Sequence, residues 1–258
     1  MRLRRGLEIQ LKTPEQFALM RRAGLVVGRA LETLRAAAAP GVSTADLDAI
    51  AAKSISDAGA KPSFLGYMGY PATICTSVND VIVHGIPSPE TVLKDGDIIS
   101  IDCGAIVDGW HGDAAITVPV GDIDPADQAL LDACEAALHA GIAKAVGGNR
   151  LSDISHAVEQ SVRAAGDYGL IQEYTGHGIG TAMHMDPTVP NYGPPGEGPR
   201  LQVGMALAIE PMITRGTRLN AELDDGWTVI TADRSRAAHF EHTVAITADG
   251  PWILTDAR

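Results

Sequence analysis

The stretch DIISIDCGAIVDGWHGDAAITVPV, residues 97–120, decides how this chain folds. It reads as two β-strands joined at Asp108-Gly109, a dipeptide suited to the positive backbone angles of a tight hairpin turn. Period two within the first strand puts Ile99, Ile101 and Cys103 on one face and Ser100, Asp102 and Gly104 on the other. Asp113 lies on the second strand, where the hairpin can set it beside Asp102. Carboxylates in apolar strands are costly unless compensated. Two neighbouring carboxylates also repel, so one of them protonates unless cations sit between them.

Three further stretches carry the same anomaly. His177 lies in YTGHGIGT, Glu210 in MALAIEPM and Glu241 in AHFEHTVAIT. Four carboxylates and one imidazole are a hard, oxygen-rich donor set, closer to a two-metal hydrolase than to a structural zinc site. His184 follows His177 by seven residues, which is not a zincin spacing, so the two histidines are given different roles. His84 ends the apolar run VIVHGIP and is a candidate proton-transfer or substrate-contact group.

The rest of the chain sets this cluster in an α+β frame. Thr13-Pro14-Glu15-Gln16 is a capping box with proline at the first helical position. The helix it opens is expected to reach about residue 38, before Pro40-Gly41. A second helix is expected from Ser43 or Thr44 to near Gly59, a third from Asp124-Pro125 to about residue 144, and a fourth capped by Ser152. Each helix pair precedes a group of strands. The reading is one catalytic domain over 12–258, with approximate pseudo-repeats 12–120 and 121–258, preceded by a short basic head at 1–11. The first half supplies two of the five candidate ligands and the second half three, so the metal site is expected at the seam.

Composition narrows the function. The chain has 258 residues, 45% of them hydrophobic, which is enough for a large core. A formal charge of −12 opposes a nucleic-acid partner. The only basic cluster, RLRR at 2–5, is too short to make a binding surface. No signal peptide or membrane-length stretch is read. The three cysteines, Cys75, Cys103 and Cys134, lack regular spacing, so reduced thiols and a cytoplasmic setting are expected. A monomer is the default expectation.

The segments VNDVIVHGIP, DIISIDCGAIVDGWHGDAAIT, YTGHGIGTAMHMDP, MALAIEPM and DGWTVITADRSRAAHFEHTVAIT resemble, in order, those of the bacterial type I methionine aminopeptidases. The resemblance runs from about Lys12 to near the C-terminus. It implies the pita-bread fold, two pseudo-symmetric halves around a curved antiparallel sheet. It also implies removal of the initiator methionine from nascent polypeptides, near the ribosome, with a small second residue preferred. Asp102, Asp113, His177, Glu210 and Glu241 match that family's ligands for two divalent ions (manganese, iron(II), cobalt or zinc), with Asp113 and Glu241 as bridges. His84, His184 and Glu210 match its catalytic groups. Phe64, Tyr67, Tyr70, Cys75, Met183 and Trp227 match its methionine pocket, to which His84 and His184 are adjacent. Phe64 and Met183 stand where cysteine and phenylalanine are commoner in the family. The second-half insertion of the type II enzymes and the long N-terminal SH3-binding extension of some type I members are expected to be absent.

Two rival readings stay open at this stage. One is a proline-specific aminopeptidase or dipeptidase on the same fold, although those relatives usually carry an extra N-terminal domain. The other is a metal-free binding protein that reuses the fold, against which the retained ligand set and the acidic surface argue.

Overall fold

The computed structural model describes residues 7–257, so the RLRR cluster lies outside the described residues. Helix α1 spans Pro14–Ala37, and the Thr13–Gln16 capping box is formed in both directions. Helix α2 spans Thr44–Asp57, capped by Ser43. Helix α3 spans Pro125–Ile142, with Asp124 accepting from the Ala126 amide. Helix α4 spans Leu151–Ala165 and begins one residue before the expected Ser152 cap. The reason is local: Asp153 accepts from the Arg150 amide at 2.7 Å, while the Ser152 hydroxyl accepts from the Glu197 amide at 2.7 Å.

The helices cover one face of a nine-stranded antiparallel sheet. Its central path runs through strands Asp97–Val107, Trp110–Val120, Glu241–Thr247, Ala206–Ile209 and Gly176–Gly178. Strands 97–107 and 110–120 pair along their full length, closed by Asp108 (φ 50°) and Gly109 (φ 80°) as the dipeptide predicts. The two halves meet where Glu241 and His242 of the second pair with Ala115 and Ala114 of the first.

Period two then divides the sheet. Ile99, Ile101, Cys103, Ala114, Ile116 and Val118 fall on the helix side and are buried. They join Val27, Leu31, Leu130, Leu138, Ile154, Leu207 and Val244 in a core that spans both halves. Each such aliphatic side chain contributes roughly 1.5–3 kcal/mol by leaving water, and residues of both halves share that burial. Close approach fixes how α1 is seated. A Cβ on Gly112 would stand 2.7 Å from the Gly24 amide nitrogen, and a Cβ on Gly24 would strike the Leu254 carbonyl. The other face of the sheet carries the polar cluster.

Candidate metal centre

Register alone brings the scattered ligands together. Asp102 and Glu241 both pair with Ala115, one from each side, and so occupy a single row across three strands. Asp113 pairs with Gly104, two positions along from Ala115 and therefore on the same face. Asp102 and Asp113 are thus diagonal neighbours rather than directly opposed. His177 pairs with Ala208, which also pairs with Thr243, two residues beyond Glu241. Glu210 follows Ala208 by two. All five candidates project from the same face.

Side-chain geometry closes the cluster. His177 Nε2 lies 3.5 Å from Glu210 Oε1 and 4.0 Å from Asp113 Oδ2. Its Nδ1 is 2.9 Å from the Gly178 carbonyl oxygen. A carbonyl only accepts, so the proton is on Nδ1 and the Nε2 lone pair faces the carboxylates, as metal-binding histidines require. Burial and the neighbouring His184 push the His177 pKa down to about 4. The imidazole is therefore neutral near pH 7, and these contacts are not ion pairs.

The carboxylates are held far from their ordinary state. Burial raises Asp102 to about 7. Asp113 and Glu241 are pushed well above the usual carboxylate range, first by burial and then by neighbouring acids, and Glu210 by burial and Asp102. Asp102 Oδ1, Asp113 Oδ1 and Glu241 Oε1 are buried with no hydrogen-bond partner. Buried oxygens are rarely left this way. Asp113, His177 and Glu241 form one group able to surround a cation, and Glu210, His239 and Glu241 form another. Orphaned acceptors, mutual repulsion and a free imidazole lone pair together fit divalent cations.

An apolar chamber opens beside this cluster, and the cavity they share measures ≈ 210 Å³. Phe64, Tyr70, Ala72, Cys75 and Met183 pack its apolar end, with Tyr67 and Trp227 partly buried around them. Phe64 rests on Gly104, where a Cβ would lie 2.8 Å from its ring, so the bare backbone of the neighbouring strand makes room for the large side chain. The Tyr70 hydroxyl is 3.1 Å from each of the Ile74 and Gly85 carbonyls. It braces the turn that presents His84, whose φ of 61° is unusual for a residue with a Cβ. Strained backbone of this kind clusters at functional sites.

His84 packs edge-on against Tyr174, and burial lowers its pKa to about 4. His184 is likewise lowered by burial. Its Nδ1 lies 2.8 Å from the Tyr67 hydroxyl, and its ring meets His177 at 4.3 Å between centroids. Every predicted site residue therefore lines this one cavity. Sequence reasoning missed Met68 on its rim and His239 behind Glu210. His239 ends the short strand Ala237–His239, one residue short of the strand that Glu241 opens, and the break at Phe240 brings both side chains to Glu210. Cys75, Cys103 and Cys134 are all free thiols.

Comparison with known proteins matches this geometry. The model of metallopeptidase family M24 matches residues 18–248. Methionine aminopeptidase 1 of Mycobacterium tuberculosis is 56% identical over 98% of this chain and 97% of its own length. Methionine aminopeptidase 1 of Bacillus subtilis is 51% identical over 95% and 98%. The crystal structure of methionine aminopeptidase from Thermotoga maritima superposes with a TM-score of 0.94 at 42% identity, over 96% of this chain and 99% of that one. The architecture is accordingly the pita-bread fold, with its two halves meeting along the row that holds Asp102 and Glu241. The chain belongs to metallopeptidase family M24 and, within it, to the bacterial type I methionine aminopeptidases.

Proposed function

We propose that this chain hydrolyses the first peptide bond of polypeptides that begin with methionine, preferring a small second residue, and that nascent chains are its substrates. The observation that carries this reading is one cavity with an apolar, aromatic-lined end and an end walled by four carboxylates and a histidine. The apolar end takes an unbranched thioether, to which the Tyr70 and Trp227 rings offer sulfur–aromatic contact.

Asp102, Asp113, His177, Glu210 and Glu241 would hold divalent cations, Glu241 belonging to both of the groups able to surround one. Manganese, iron(II), cobalt and zinc all suit such donors. Cations held there polarise a carbonyl and acidify water. The protein supplies the remainder. Glu210, at the edge of the same cluster, exchanges a proton with the attacking water. His184, held by Tyr67, steadies the charge developing on the carbonyl oxygen. His84, kept neutral by burial, contacts the scissile amide and assists the departing nitrogen. The apolar packing around the site keeps bulk water from competing.

The test is cleavage of Met-Ala-Ser against X-Pro peptides, on chelated protein reloaded with each cation in turn. Preference for X-Pro would transfer the chain to the proline-specific branch of the fold. No metal-dependent turnover of either peptide would leave a binding protein.

A further inference from the structure

We infer that His239 is an additional ligand of the metal centre, so that the position bounded by Glu210 and Glu241 carries an imidazole of its own. This rests on the two-cation reading above and adds a donor outside the five that the sequence motifs supply.

His239 closes the strand Ala237–His239 and is 1% exposed. Its backbone is clamped on both sides by Thr117, whose hydroxyl accepts from the His239 amide at 2.9 Å and donates to its carbonyl at 2.8 Å. That pair fixes the stretch of backbone from which the ring projects. Its Nε2 is fully buried and has no hydrogen-bond partner. A buried imidazole nitrogen left in this state is unfavourable unless a further partner occupies the site.

The nearest acceptor decides what the nitrogen is for. Glu210 Oε2 stands 3.7 Å from His239 Nε2, too far for a hydrogen bond. Two donors that each bind a common cation at about 2.0–2.2 Å are separated by roughly this span. On the opposite side of the same carboxylate, His177 Nε2 lies 3.5 Å from Glu210 Oε1. Glu210 therefore stands between two imidazoles at matching distances, one toward each of the overlapping groups that share Glu241. With a nitrogen donor in each group, both positions move toward cations that favour imidazole, cobalt, iron(II) and zinc, and away from manganese.

The test begins on the unaltered protein. It is stripped with chelator, reloaded with manganese(II), and the imidazole nitrogens coupled to the metal are counted by pulsed electron paramagnetic resonance. Two distinct histidine couplings are expected, one of which disappears in His239→Gln. Calorimetric titration with cobalt(II) should show the weaker of two ions losing about 10–100-fold in affinity in that variant. Its cobalt-over-manganese preference should fall in parallel. A single coupling in the unaltered protein, or one unchanged by His239→Gln, would overturn the inference even if affinity drops, because His239 would then only orient Glu210. Met-Ala-Ser cleavage measured on the same samples separates the two levels. Two bound ions and turnover with one imidazole defeat this inference alone, whereas no bound ion and no turnover defeat the reading beneath it.

Discussion

Asp102 and Glu241 flank Ala115 in one row of the sheet, so two acids 139 positions apart in sequence project from the same register on the two strands either side of it. The methyl group between them cannot screen one charge from the other. The row is stable only when both acids share positive charge or when protons neutralise them.

That arrangement gives opposite stability effects with and without metal. Glu241 belongs to both cation-binding groups. Glu241→Gln should abolish Met-Ala-Ser cleavage and remove at least one bound ion. In excess chelator the variant should be more stable than the parent by about 1–3 kcal/mol, because a buried, repelled acid is gone. In saturating metal the order should reverse. Thermal melts in both conditions decide this, and a variant less stable in chelator would contradict the account of the row.

The pocket should set substrate affinity more than turnover. Phe64→Ala removes the ring that rests on Gly104 and enlarges the apolar end. KM for Met-Ala-Ser should rise about 10–100-fold with a smaller change in kcat, as loss of uniform binding implies. An unchanged KM would place the methionine side chain elsewhere.

A buried ion-pair network outside the site governs stability. Asp127, in the first turn of α3, is 1% exposed and lies between Arg215 Nη1 at 2.7 Å and Arg236 Nη1 at 3.0 Å. Both arginines reach partway to solvent, which tempers the loss. Asp127→Ala should destabilise the fold by about 2–4 kcal/mol in urea titration, leaving metal affinity unaltered. A loss under about 0.5 kcal/mol would show that water already screens the network.

Lys12 should make stability depend on alkaline pH. Its side chain is buried, with Nζ 3.0 Å from the Gln10 carbonyl oxygen, and desolvation lowers its pKa from 10.5 to about 8. Between those values the unfolded chain binds more protons than the folded one, so stability rises with pH across that window. Below about 8 the burial penalty is present in full. Lys12→Met should therefore stabilise at pH 7 by about 1–3 kcal/mol, with the gain fading toward pH 10.5. A gain independent of pH would place its origin in packing.

The sequence made some of this legible and hid the rest for physical reasons. Thr13, Pro14 and Gln16 announce α1 because a capping box is a local interaction. Asp108-Gly109 announces the hairpin because only a few residues tolerate its dihedrals. The parity that puts Asp102 on the site face was readable within one strand. That Asp102 and Glu241 share a row was not, since pairing between the halves depends on how the whole core packs. His239 was passed over because a histidine in an apolar strand is ordinary. Its meaning lies in an unpartnered nitrogen, which only three-dimensional contacts reveal. The Ser152 cap went to Glu197 for the same reason: a loop 45 residues downstream supplied a competing donor.

The seating of α1 bears on the order in which the molecule assembles. Gly24 has no side chain because the Leu254 carbonyl occupies that space, and Arg21 donates to the same carbonyl at 2.8 Å across 233 residues of sequence. The helix rests mainly on strands 97–107 and 110–120, and a segment far along the chain completes its seat. Long-range closure of this kind slows folding and leaves apolar surface uncovered in the interval. Until that segment arrives, the Gly24 side of the helix stays open while its other side is already seated, so the last step of folding is the closing of one small, glycine-lined gap.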